Sequence, residues 1–466
     1  MAQDNLRKES IFGTDGIRGT PGIYPLTDGM IFKIGLSVAK IIQYRQKEGT
    51  SCSCVVIGRD TRLTGSRIEA ILADAITFHG IDVYFAGVIT TPGLSFLVRE
   101  KSAHMGIMIS ASHNKPEDNG IKFFNSRGLK LSRGEEDFMT EVIVSNIIHR
   151  PDETRKYRVG QTRNIKKAHA QYVKFLISTI GGAKLRHLRI ALDCGWGAAS
   201  GFAAQIYKKL GAAVTSIHDE PKGENINIGG ALKPSYLSDL VIKEKADIGI
   251  ALDGDGDRCI LVDEKGNVLD GDYILAIMGN YLIDKGGLPQ NTIVATVMSN
   301  MGLKVSLAQK SAKMIVTDVG DKHVVEAIRE NNLTLGGEQS GHIVFLNHLP
   351  SPDGLLTSLQ ILKVMSDTGK SLSELAGCMR KFPQILVNVK VKEKIPFSGL
   401  PSVYEQLDYY KSKLKDDGRI LLRYSGTENL ARVMVEGRDD KLINEIANTL
   451  AETIKKEIGA EPANSG

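Results

Sequence analysis

Short apolar runs that end in loops rich in Gly, Asp or Ser and then give way to helical periodicity recur along most of this chain. That recurrence restricts it to sheets covered by helices. In the first series Cys54 to Ile57 reads as a strand ending in Gly58-Arg59-Asp60-Thr61-Arg62, followed by a helix from about Gly65 to His79 and a strand at Asp82 to Phe85. Met105 to Ile109 is a further strand, and it runs into the polar stretch from Ser110 to Asn119. The pattern returns with Leu188 to Leu192 and Asp247 to Leu252, and again with Thr292 to Val297, Lys313 to Thr317 and Leu333 to Leu335. Three α/β units of about a hundred residues each follow, as divergent copies of one domain. The segment from about Ser371 differs: strands at Ile385 to Val391, Arg419 to Leu422 and Arg432 to Val435 precede an amphipathic helix, Asp440 to Ile458, as in a smaller α+β domain. With the charged stretch Pro151 to Lys167 read as a linker, the expected domains are 1–155, 156–258, 259–370 and 371–466.

Composition narrows the function. At 466 residues the chain exceeds one core, and 42% hydrophobic with 24% charged residues describes a globular protein. No apolar run reaches the length of a membrane span, and Met1 to Ser10 is polar, so neither a transmembrane helix nor a signal peptide is expected and the cytoplasm is the expected compartment. The five cysteines form no C-x-x-C pair, which fits reduced thiols. A net charge of +5 without a basic stripe speaks against nucleic acid and leaves room for a small anionic substrate.

Four loops concentrate the chemistry. Ser112, His113 and Lys122 place a hydroxyl, an imidazole and an ammonium group at the carboxyl end of a strand, where open α/β sheets bind ligands. Asp253, Asp255 and Asp257 alternate, so an extended backbone would point three mutually repelling carboxylates one way, and a hard divalent cation such as Mg²⁺ relieves the repulsion. An EF-hand is the rival, because Glu264 stands twelfth from Asp253. It fails on Arg258 at the sixth position and on the strands expected at both flanks. Glu338, Ser340 and His342 share the period-two spacing, so an extended segment would put them on one side, suited to a polyhydroxylated ligand. Arg423, Ser425, Gly426, Thr427 and Arg432 have the composition of a phosphate cradle, and an ordinary charged turn has the same composition. Near the start, the glycines of Gly13-Thr14-Asp15-Gly16-Ile17-Arg18-Gly19 imply tight turns around one exposed arginine, Arg18.

Taken in order, the serine loop Ser110-Ala111-Ser112-His113-Asn114, the metal loop Asp253-Gly254-Asp255-Gly256-Asp257-Arg258, the loop Glu338-Gln339-Ser340-Gly341-His342 and the loop Arg423-Tyr424-Ser425-Gly426-Thr427-Glu428 resemble the four signatures of the α-D-phosphohexomutase family. The resemblance implies three similar α/β domains with mixed sheets plus a smaller C-terminal α+β domain, arranged around a central cleft. It implies movement of phosphate between O6 and O1 of a hexose through a phosphoserine at Ser112 and a bisphosphorylated sugar. One Mg²⁺ per chain would be held by Asp253, Asp255, Asp257 and the phosphoryl group on Ser112. Lys122 and His342 would move protons beside Arg18, while Arg258, Glu338, Ser340 and His342 would bind the sugar and Arg423, Ser425, Gly426, Thr427 and Arg432 its distant phosphate. Glucosamine or glucose 1,6-bisphosphate is the implied activator, with no nucleic-acid or membrane partner and a homodimer left open. The likeness is greatest to the amino-sugar branch, which serves peptidoglycan precursors, with the glucose/mannose branch and a non-catalytic sugar-phosphate-binding protein as alternatives. Lys115, Lys322 and Asn429 depart from the usual family pattern, and Gly256 departs from that of the amino-sugar branch, whose usual residue there is alanine, toward the glucose/mannose branch.

Overall fold

A computed structural model of the chain describes residues 11–13, 15–46, 54–145, 159–425 and 429–460. Its contacts divide it into two compact units, Met1–Met298 with Lys310–Cys378, and Ser299–Gln309 with Met379–Gly466.

The first unit holds three sheets. Six strands form the first, in the order Ile17–Gly19, Asn119–Asn125, Met105–Ile109, Cys54–Arg59, Asp82–Val88 and Thr162–Asn164. Met105–Ile109 is buried throughout, because helices cover both faces; this is why its sequence is an unbroken apolar run. On one face Ile31, Ile34, Val38 and Ile42 of the helix Asp28–Gln46 pack with Ile68, Leu72 and Ile76 of the helix Gly65–Phe78 against Val55, Ile57 and Ile107. The sheet is mixed: Asn119–Asn125 runs antiparallel to Met105–Ile109, so the chain doubles back directly after the serine loop. Three residues of the supposed linker, Thr162–Asn164, form its outer strand and pair in parallel with Asp82–Val88; their polar sequence suits an edge position with exposed side chains. The expected boundary at 155/156 lies outside the described residues.

The second sheet has the order Val268–Leu269, Cys259–Asp263, Ile248–Leu252, Arg189–Asp193, Ala213–Ile217. Cys259–Asp263 pairs antiparallel with Ile248–Leu252, so this sheet continues past the 258/259 boundary expected from the sequence. The metal loop is therefore the connection of a β-hairpin, with one strand entering and one leaving. The third sheet has the order Lys313–Thr317, Thr292–Thr296, Leu335–Gly337, Ile343–Phe345.

Two buried struts join the helices of the second and third sheets. The Tyr207 hydroxyl lies 2.7 Å from Ser358 Oγ, and the Tyr172 hydroxyl donates to Asp353 Oδ2 at 2.6 Å. Asp353 also caps the helix Gly354–Thr368 by accepting from Leu356 N at 3.0 Å. Burial raises the Asp353 pKa to about 6, against these hydrogen bonds, which oppose the rise. The folded chain thus holds this proton more tightly than the unfolded one. The contribution is most favourable below an unfolded carboxylate pKa of about 3.9 and is lost as pH climbs through 6, a swing of the order of 3 kcal/mol. Asp353→Asn keeps an acceptor for Leu356 N and is expected to flatten that part of the stability profile. Calorimetric scans of both proteins between pH 4 and 7 check it, and parallel profiles would refute it.

The second unit carries the order Gln384–Lys390, Leu430–Gly437, Gly418–Tyr424, all antiparallel. Ile443, Ile446, Leu450 and Ile454, spaced three and four apart on the helix Asp440–Ile458, pack on Val389, Val433 and Val435. The helix Met301–Ala308 belongs to this unit, and Met301 N donates to Glu436 Oε1 at 2.7 Å.

Candidate active site

Ser112 stands in the left-handed region at φ 50°, is 1% exposed, and donates its hydroxyl to Asp253 Oδ2 at 3.1 Å. A β-carbon makes that conformation unfavourable by about 1–2 kcal/mol, so the surroundings must hold it. They do so at both ends of the residue. The Ser112 N–H donates to Ser110 Oγ at 2.9 Å, and Ser110 Oγ in turn donates to Asp60 Oδ2 at 2.6 Å. The Ser112 carbonyl accepts from Arg62 Nη2 at 2.9 Å. Arg62 is buried, paired with Asp60 at 3.0 Å, and its guanidinium also reaches the carbonyls of Asn114, Lys115 and Asp118. Arg18 is not the exposed residue expected. It lies in the strand Ile17–Gly19 and donates to Ala111 O at 3.1 Å and Asn114 Oδ1 at 2.9 Å, so it grips the loop without touching the Ser112 hydroxyl.

The metal loop supplies the facing wall. Asp253, Asp255 and Asp257 are buried, and a ligand oxygen from each lies within 4.8 Å of the others. They converge through a turn and not along an extended segment, with Gly256 at φ 71°, where a β-carbon would come within 2.6 Å of Thr90 Cγ2. Glycine adopts this conformation without the strain that a β-carbon would bring. Asp255 accepts from Thr91 Oγ1 at 2.5 Å through Oδ2, while its Oδ1 is buried with no partner. Burial and the neighbouring Asp257 and Asp255 carboxylates push the Asp253 pKa well above its usual range. The unspent Asp255 oxygen and the crowded negative charge fit a divalent cation.

Lys122, 1% exposed, lies 2.8 Å from Asp255, 2.9 Å from Asp15 and 3.5 Å from Asp257. Burial alone would lower its pKa, but these three carboxylates raise it well above the usual lysine value. The Arg18 guanidinium opposes that rise and is outweighed. Asp15, which no loop motif indicated, is shared with Lys130 at 2.6 Å, and Lys130 continues to Asp321 at 2.7 Å.

Glu338, Ser340 and His342 do converge, through a hairpin turn and not as one side of an extended segment. Glu338 N donates to His342 O at 2.9 Å, and Gly341 turns at φ 96° where a β-carbon would meet Cys259 O at 2.5 Å. His342 Nδ1 lies 2.8 Å from Glu338 Oε2 and 3.2 Å from Ser340 Oγ, and its Nε2 lies 3.1 Å from Asp257 Oδ1. Burial opposes the charge, but Asp257 and Glu338 raise the His342 pKa to about 10, so the ring is an imidazolium donating to both carboxylates. Arg258 Nε, 3.1 Å from the same Nε2, is itself a donor and so is a neighbour of the charged ring without a hydrogen bond to it. Arg258 Nη2 lies 2.9 Å from His113 Nδ1; burial and then this guanidinium lower the His113 pKa to about 4, which leaves a neutral acceptor. The other Glu338 oxygen accepts from Gly320 N at 2.9 Å. Glu264, the residue that suggested an EF-hand, instead accepts from Ser373 Oγ at 2.5 Å.

In the second unit Arg423 and Arg432 sit opposite one another on paired strands. Among the described residues neither has a carboxylate partner, and Arg432 Nε is buried without one of any kind. Burial and the adjacent Arg432 lower the Arg423 pKa. Ser425 N closes the turn on Leu430 O at 2.8 Å. Gly426 and Thr427 lie outside the described residues.

Models for all four domains of the phosphoglucomutase/phosphomannomutase group match the chain: α/β/α domain I over residues 9–147, domain II over 169–266, domain III over 270–382 and the C-terminal domain over 386–453. A phosphoglucosamine mutase of Nitratidesulfovibrio vulgaris (strain Miyazaki F) is 43% identical over 96% of this chain and 99% of its own. That of Citrifermentans bemidjiense is 44% identical over 97% and 99%. Among solved structures, a phosphoglucomutase/phosphomannomutase family protein from Burkholderia thailandensis matches with a TM-score of 0.78 at 22% identity, over 97% of this chain and 99% of its own. The N-acetylphosphoglucosamine mutase of Aspergillus fumigatus, in complex with GlcNAc-6P and magnesium, matches with a TM-score of 0.65 at 17% identity over 96% and 95%. No helix among the described residues is long and apolar enough to cross a membrane.

Proposed function

We propose, from the premise that the chain belongs to the phosphoglucomutase/phosphomannomutase family, that it interconverts glucosamine 6-phosphate and glucosamine 1-phosphate through a phosphoserine at Ser112. The observation that carries the chemistry is the buried Ser112 hydroxyl on the Asp253 carboxylate, beside Asp255, Asp257 and the Lys122 ammonium. The choice of amino sugar rests on relatives of 43 and 44% identity that bear the name phosphoglucosamine mutase.

Asp253, Asp255 and Asp257 would hold Mg²⁺ together with a phosphoryl oxygen on Ser112. Such an ion would supply charge neutralisation to the phosphoryl group. The chain's own residues do the rest. The bond from phosphorus to Ser112 Oγ breaks as one forms to the free sugar hydroxyl, whose proton passes to a base; after the bisphosphate turns round, Ser112 Oγ takes the other phosphoryl group and the proton returns to the sugar oxygen. Lys122 is proposed for the proton, with His342 second. In the state described both are charged donors, so Lys122 can accept only once its carboxylates are drawn off. Glu338, Ser340, His342 and Arg258 are proposed to bind the sugar, and Arg18 to hold the serine loop. In the C-terminal unit Arg423, Ser425, Gly426, Thr427 and Arg432 are proposed to bind phosphate, supported by two guanidinium groups that have no carboxylate partner among the described residues. Glucosamine or glucose 1,6-bisphosphate would prime the serine, and the cytoplasm is the proposed setting.

The test is a parallel assay of glucosamine, glucose and mannose 6-phosphates with Mg²⁺ and the matching bisphosphates, following 1-phosphate by phosphorus NMR. The expected kcat/KM preference for the amino sugar is at least about tenfold. Preference for glucose or mannose keeps the mechanism and overturns the substrate. Turnover of none would favour a sugar-phosphate-binding protein.

A further inference from the structure

One side chain outside all four motifs is hydrogen-bonded to the backbone of both the serine loop and the metal loop. Asn227 lies in a loop after the second sheet's strand Ala213–Ile217. Its Nδ2 donates to Ser112 O at 2.8 Å and to Asn114 O at 2.9 Å, and its Oδ1 accepts from Gly254 N, next to Asp253, at 2.8 Å. A planar amide here spends two donors on the serine loop and an acceptor on the metal loop, three directed bonds from one rigid group. The two carbonyls it reaches are those that Arg62 Nη2 also reaches, each at 2.9 Å. The first sheet thus holds the Ser112 loop through Arg62, and the second sheet holds the same two atoms through Asn227.

The amide is itself held. Asn227 stands at φ 69°, a conformation that asparagine tolerates better than most residues, and its N–H donates to Gly195 O at 2.8 Å. The same loop is seated on the Arg62 segment. Gly223 is so close to Thr61 that a β-carbon would fall 2.1 Å from Thr61 O, and Thr61 Oγ1 donates to Trp196 O at 2.8 Å. Asn227 is consequently a fixed point against which both loops are measured.

We infer that Asn227 is a positioning residue for phosphoryl transfer: it sets the Ser112 hydroxyl against the Asp253 carboxylate by tying their loops to one amide. This deepens the proposed function and rests on it. Arg62 still grips the serine loop when Asn227 is shortened, so the loop stays in place and what is lost is its alignment with the metal loop. Misplacing reacting groups by about an ångström can cost on the order of a hundredfold in rate without changing ground-state binding.

The experiment uses the full chain with Asn227→Ala, and Asn227→Ser in case the alanine variant does not fold. Three readouts are taken: kcat and KM for the preferred sugar 6-phosphate, the thermal midpoint, and the single-turnover rate at which Ser112 gains phosphate from glucose 1,6-bisphosphate, by intact mass. Expected are a fall in kcat and in the phosphorylation rate of about ten- to a hundredfold, KM within about twofold, and a midpoint within a few degrees of the parent. Parent-like phosphorylation in a folded variant, or a loss confined to KM, overturns the inference and leaves the proposed function standing. A parent that takes no phosphate from the bisphosphate and turns over none of the sugars overturns both.

Discussion

Ser112→Ala is expected to abolish turnover, with a loss on the order of 10⁴ to 10⁶, because no other group in the site replaces the oxygen that carries the phosphoryl group. Ser110 is the nearest hydroxyl in sequence, but it donates to Asp60 and accepts the Ser112 N–H, so it is committed to holding the loop. The thermal midpoint should move by only a few degrees, since one hydrogen bond to Asp253 is lost and the backbone contacts of residue 112 persist. Two measurements decide it: 1-phosphate formation by phosphorus NMR, and the gain of about 80 Da expected when the parent, but not the variant, is incubated with bisphosphate. Parent-like turnover in the variant, or phosphate appearing on Ser110, would remove Ser112 from the mechanism.

Lys122→Met should damage stability and activity together. The ammonium lies among Asp15, Asp255 and Asp257 with almost no solvent contact, and breaking a buried ionic cluster by removing one partner costs about 3–5 kcal/mol. The loss is pH-dependent with a definite sign. Burial raises the Asp15 and Asp257 pKa values, but Lys122 and, on Asp257, His342 hold both well below the usual carboxylate range. Depressed carboxylates stabilise the folded chain fully above their unfolded pKa of about 3.9 and lose that contribution as pH falls through the folded values. The stability gap between parent and variant should therefore be widest near neutrality and close in acid. Turnover at neutral pH should fall by about 10² to 10⁴ if Lys122 moves the proton. Denaturation of chelator-treated protein from pH 3 to 7 measures the gap. A constant gap would refute the charge argument, and a destabilised variant with parent-like kcat would hand proton transfer to His342.

The residue types proposed for the chemistry, and the order of the loops holding them, are read from the amino-acid sequence. Strand-loop-helix recurrence identified the α/β units because apolar periodicity is written locally, and the helix Asp440–Ile458 was delimited by its own amphipathic pattern. Asp253, Asp255 and Asp257 could be grouped because they alternate within a few residues, and the turn at Gly256 is what brings their oxygens within 4.8 Å of one another. Tertiary structure alone decided what holds these groups. Asp15, Arg62 and Asn227 reach the site across sequence separations that no local pattern records, 107 residues from Lys122, 50 from Ser112 and 115 from Ser112. The continuation of the second sheet to Leu269, the edge strand Thr162–Asn164 and the hairpin that gathers Glu338, Ser340 and His342 likewise follow from backbone pairing that the side-chain pattern does not record. The protonation of Lys122 and His342 is the same kind of property, because it is set by carboxylates that folding brings within about 3 Å and water would otherwise screen.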